Sequence, residues 1–252
     1  MDLTTTLIDG LPALNVLALC AATLAVSFAV SAIGPTGGMQ MAAVAATMPP
    51  GLVIPLHAWI TGFSALFRAL GLRREIDWRF VAWFVPASAA ASLPMAAVVA
   101  TADFTFVQAA VALYILASAV LIVLRPETRL TVRRRRPVTF GVITGALSMI
   151  VGATGPLLMT LMQGGYDAKE RLSATFSACL TFQHLSKIVL FGLIGVSILG
   201  HPIVLGLTLA AAAAGTLMGR RLLIHLPERL YRLLLAAALA AVSAALLISL
   251  IL

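Results

Sequence analysis

Residues 33–41 read IGPTGGMQM and residues 151–159 read VGATGPLLM, each set in a long run of Ala, Leu and Val. Glycine and proline weaken or break helices, so each stretch predicts a helix that stops and restarts. A shift of 118 residues lays one over the other: Gly34 on Gly152, Thr36 on Thr154, Gly37 on Gly155 and Met41 on Met159. Both follow a β-branched residue and precede a short apolar stretch. The chain therefore reads as two related membrane repeats, 1–124 and 138–252, joined by the Arg-rich connector RPETRLTVRRRRP at 125–137.

Of the 252 residues, 61% are hydrophobic and 10% charged, with a mean hydropathy of +1.06. Soluble domains carry roughly 25% charged residues, so this is an integral membrane protein. Apolar segments run over 12–33 and 36–48, 50–70, 79–100, 105–124, 138–151 and 156–164, 172–198, 202–219, and 230–252. Crossing a hydrocarbon core takes ~20 helical residues. The first run has no basic n-region, so it reads as retained rather than as a cleaved signal peptide.

The net charge of +8 lies in short connectors rather than on one face, which argues against nucleic acid as a partner. Cys20 and Cys179 sit in apolar segments without metal-ligand spacing and read as buried hydrophobes. HExxH, GxSxG and Walker-type motifs are missing, and the nine acidic residues fall almost entirely in connectors or at the ends. The sequence predicts neither an enzyme nor a bound cofactor or metal.

Sixteen of the 17 basic residues fall in four connectors, 68–79, 125–136, 169–171 and 220–232. If each glycine-broken segment crossed the membrane, ten would lie on one side and six on the other. If 138–164 enters, turns at its glycines and leaves on the same side, all sixteen share the cytoplasmic side, as the positive-inside rule demands. By analogy 12–48 forms the matching hairpin from the outside. The expectation is an all-α membrane protein of two inverted repeats, each a glycine-broken re-entrant helical hairpin plus three transmembrane helices. That makes eight helical segments when each hairpin counts as one, with both termini periplasmic.

Helices that restart after each break offer free N–H groups and a positive dipole end, which suits an anion. Thr36, Gly37, Gly38 and Gln40 in the first half, with Thr154 and Gly155 in the second, are the candidate ligands. The competing reading is that the glycines only permit close helix packing. In the span 172–198, ~1.5 Å per residue puts Gln183, His184 and Lys187 near mid-membrane or slightly outward. Lys187 is the basic residue well inside a span; it either supports anion binding or snorkels to the outer headgroups. His184 is the candidate carrier of a coupled proton. Thr61 and Ser64 occupy the corresponding depth in the first half, while His57 falls over Thr175 under the same shift, and either faces the site or the outer headgroups.

The chain resembles the TauE/SafE sulfite-exporter family, also called the toluene sulfonate uptake permease family. The duplicated glycine motif, the KERLSAT stretch at 169–175 and the REIDWRF connector at 74–80 carry the likeness. It implies a bacterial inner-membrane permease for small anions, sulfite, sulfonates or related organosulfur acids. The predicted function is secondary transport by alternating access between the repeats. The alternatives are a passive anion channel and an intramembrane enzyme or assembly factor handling a sulfur compound. Predicted partners are the anion, membrane lipid and a coupling proton or ion; whether the protein is a homodimer stays open.

Overall fold

The computed structural model describes residues 6–32, 34, 37–98, 136–151, 154–193, 195, 197–227, 229–230, 233–234 and 237. The connector 125–135 and the predicted spans at 105–124 and, for the most part, 230–252 lie outside them. Eight α-helices follow one another among the described residues: α1 (Ala13–Ala32), α2 (Gly37–Thr47), α3 (Pro50–Gly71), α4 (Trp78–Val98), α5 (Pro137–Val151), α6 (Gly155–Met162), α7 (Lys169–Leu193) and α8 (Pro202–His225). The helix α1–α2 and α5–α6 breaks fall at the two glycine motifs. Four helices, α1, α3, α7 and α8, are long and apolar enough to cross a membrane.

Two boundaries differ from the sequence reading. The helix α7 stops at Leu193 rather than near 198, because the chain turns at Gly195 with φ +81, a conformation open mainly to glycine. The helix α8 runs past 219 to His225 and takes Arg220 and Arg221 with it. A short hairpin pairing Leu7–Ile8 with Leu11–Pro12 precedes α1 and turns at Asp9–Gly10, both with positive φ, as a type I′ turn requires. Asp9 then caps another helix altogether: its Oδ2 accepts from the amides of Ile203 and Val204 at the start of α8.

Helix α2 does not continue the line of α1. Gln40 Nε2 donates to Thr23 Oγ1 at 3.0 Å across 17 residues, which a continuous helix would hold ~25 Å apart.

Helices of one half pack chiefly on helices of the other, α1 on α8, α4 on α5 and α3 on α7. Glycine makes the first two contacts close. A Cβ at Gly215 or Gly219 would stand 2.2 Å from the carbonyl oxygens of Leu24 and Phe28, and one at Gly141 or Gly145 would stand 2.6 or 2.4 Å from those of Phe84 and Ser88. These pairings also give direction. Residues 24 and 28 meet 215 and 219, and 84 and 88 meet 141 and 145, so both pairs run in the same sense. Gly62 meets His184 while Arg68 meets Ser177, so α3 and α7 are antiparallel.

Polar ties repeat across the halves. Ser31 on α1 donates to the Thr216 carbonyl on α8, and Thr216 Oγ1 shares a 2.8 Å bond with Ser64 on α3. Gln183 on α7 donates to Ser88 on α4 and Thr144 on α5. Two apolar clusters fill the remaining interior, one around Phe80, Phe84, Phe140 and Leu180, the other around Leu19, Val44, Leu56 and Ile60.

Candidate functional site

His57, Thr61, Ser64 and Arg68 recur every three or four residues, and in a helix that spacing makes a single stripe. On α3 the stripe faces α7 and lines a cavity of about 30 Å³ between the two apolar clusters. Leu180 and His184 of α7 form the facing wall. Val26, Ser27 and Val30 of α1, Gln40 of α2 and Gly155 at the start of α6 complete it. Gly62 lets the helices approach: a Cβ there would stand 2.9 Å from His184 Cβ.

Most of the cavity wall is apolar, and the polar groups set into it include a buried arginine. Arg68, 2% exposed, donates from Nη1 to Ser64 Oγ at 2.8 Å and from Nε to Ser177 Oγ at 3.1 Å. His57 Nε2 lies 3.3 Å from Thr61 Oγ1, and its ring meets that of His184 edge-on with centroids 5.6 Å apart. Three buried atoms on three helices have no hydrogen-bond partner: Arg68 Nη2, His184 Nδ1 and Gln40 Oε1. Such atoms are costly to bury, and no carboxylate lines the cavity among the described residues.

Of the residues singled out from sequence, Gln40, His57, Thr61, Gly155 and His184 converge on this cavity. Gly37 and Gly38 begin α2, and Thr36 lies outside the described residues. Thr154 is buried as the residue before α6 and makes no side-chain cap bond. Thr175 points elsewhere, its Oγ1 accepting from the Asp77 amide at 2.9 Å. Gln183 serves the tie to α4 and α5. Lys187 is buried one turn beyond His184 but lines a second cavity with Pro55, Ala58, Trp59 and Phe191.

Arg68 is the residue the sequence reading misassigned. Counted there with the basic connector 68–79, it is instead the last-turn arginine of α3, turned inward. The available signal was the Ser64-x-x-x-Arg68 pair, one helical turn apart at the end of an apolar run.

A buried guanidinium with a spare donor, a helix start and two imidazoles around one small space can hold a compact anion through charge-assisted hydrogen bonds. Among the described residues no group of His, Cys, Asp and Glu could hold a metal ion. The family model described as Sulfite exporter TauE/SafE matches residues 19–246. No curated protein and no solved structure matches the chain.

Proposed function

The chain belongs to the TauE/SafE sulfite exporter family, a family of membrane transporters, and from that premise we propose that it is a secondary transporter whose small-anion substrate binds against Arg68. The observation that carries this reading is the unpartnered Nη2 of that buried arginine. An uncompensated buried charge costs several kcal/mol, and an anion is the partner that would relieve it. The start of α6 at Gly155 adds amide donors and a positive dipole end. The narrow cavity and the family together favour a compact oxyanion such as sulfite or a short sulfonate.

The site would lie between two inverted repeats. The helices α1 and α3 both run in the sense of α8, since Ser64 meets Thr216 and Gly71 meets Arg220. A chain that enters along α1 and resumes along α3 in the same sense has to return along α2, which is a hairpin. In the second half α5 and α7 both follow α4, since Asp77 meets Thr175 and Ser88 meets Gln183. That sense is opposite to α1 and α3, as inverted repeats require. The starts of α4, α5 and α7 and the ends of α3 and α8 then share one end of the bundle, with Arg73, Arg74, Arg79, Arg136, Lys169, Arg171, Arg220 and Arg221. By the positive-inside rule that end is the cytoplasmic one. Alternating access follows if the cavity opens to either end in turn.

Counterflow tests the proposal. Purified protein in liposomes preloaded with unlabelled sulfite should take up labelled sulfite transiently above equilibrium. Equilibration without overshoot would make it a channel, and chemical conversion of the anion without movement would make it an enzyme.

A further inference from the structure

His184 is 4% exposed, lies on the cavity wall and leaves Nδ1 with no hydrogen-bond partner. A neutral imidazole protonated on Nε2 holds a bare acceptor at Nδ1; a second proton turns that nitrogen into a donor. The surroundings fix what such a donor can meet. The charged and titratable groups near it are His57 and Arg68 on α3 and Lys187 on its own helix. The wall from α1 is Val26, Ser27 and Val30, α2 brings Gln40 and α6 brings Gly155. Among the described residues no carboxylate lines this cavity. The charged acceptor that would meet a protonated Nδ1 is therefore the anion itself.

We propose that His184, with His57 packed edge-on against it, is a proton site that loads together with the anion, so that the carrier is a proton–anion symporter. This deepens the anion-carrier reading and rests on it. The proton comes from the same aqueous side as the anion, resides on Nδ1 while the anion occupies Arg68, and leaves with it on the other side. No bond of the substrate changes. A monovalent anion then moves without net charge, and a divalent one carries one negative charge per turn. The Thr61 hydroxyl beside His57 Nε2 keeps the second ring in a hydrogen bond rather than in competition for the guest.

The test uses full-length protein in liposomes holding a pH-sensitive dye, with sulfite, sulfate, thiosulfate and methanesulfonate as probes. For sulfate, thiosulfate or methanesulfonate, whichever counterflows, addition outside should acidify the lumen with one proton per anion; sulfite reports exchange only, because bisulfite itself releases protons near neutral pH. Methanesulfonate is a permanent monoanion, and a one-unit pH gradient should accumulate it about tenfold. His184→Gln should still exchange labelled anion, more slowly, while the proton signal per anion disappears and the gradient no longer drives accumulation. His184→Asn serves in the same assay if the glutamine variant fails to purify as a single species. An undiminished proton signal per anion in either variant, or anion movement without protons in the unmodified protein, overturns the inference while leaving the carrier in place. If none of the four probes counterflows, the anion-carrier reading itself falls.

Discussion

Arg68 on α3 and Ser177 on α7 are joined by a 3.1 Å hydrogen bond, with the guanidinium Nε donating across the antiparallel pair. The bond spans 109 residues of sequence and ties one half of the chain to the other. It also aims the group, because Ser64 holds Nη1 and the remaining nitrogen is left for a guest.

Arg68→Gln keeps a donor near Ser64 and removes the charge. Hydrogen bonds to charged groups are worth about 1.5–3 kcal/mol, so anion counterflow should fall by roughly tenfold or more. Arg68→Lys should recover only part of it, since an ammonium cannot satisfy both serines and a guest in the same fork. Initial uptake rates in liposomes decide this, and equal rates in all three proteins would remove Arg68 from the site.

Lys187 sits in the neighbouring cavity rather than in that of Arg68. Lys187→Met, which keeps the volume of the stem, should therefore slow uptake less than Arg68→Gln does. The reverse order of effects would move the principal anion site to the Lys187 cavity.

Gly215 leaves its Cβ position 2.2 Å from the Leu24 carbonyl oxygen, whereas Gly206, on the same helix, has nothing within 4 Å. Gly215→Ala should destabilise the protein by about 1–3 kcal/mol through overpacking. Gly206→Ala should be neutral or stabilising by up to about 1 kcal/mol through helix propensity. Thermal unfolding of the detergent-solubilised variants makes the comparison.

Asp9 is a helix cap supplied from 194 residues away. Asp9→Ala leaves two amides at the start of α8 without their acceptor and should cost about 0.5–2 kcal/mol. The same variant should loosen the hairpin before α1, seen as faster proteolysis there than in the unmodified protein.

The breaks in the helices were legible because glycine and proline act locally: the segments read from sequence end at 33 and 151 and restart at 36 and 156, and the described helices end at Ala32 and Val151 and restart at Gly37 and Gly155. Position along each helix was legible too, through the rise per residue. Azimuth was not. Successive helical residues turn by about 100°, so Thr175 and His184, nine positions apart, look in opposite directions although both belong to α7. One reaches Asp77 and the other the cavity. Which side of a helix faces a neighbour depends on pairings between halves, 53 residues apart for Ser92 and Gly145 and 185 for Ser31 and Thr216, and an almost uniformly apolar chain carries little amphipathic signal for them. Arg68 was hidden for a related reason: an arginine at a helix end serves topology or chemistry according to the side on which it emerges.

The seams at Gly215 and Gly219 and at Gly141 and Gly145 press backbone against backbone with no side chain between to act as a bearing. Sliding along such a seam would cost contact over the full length of both helices. The closely packed units among the described residues are therefore hybrids of the two halves: α1 against α8, and α4 against α5. The Arg-rich connector draws one boundary through the chain, and the packing of the described helices draws another.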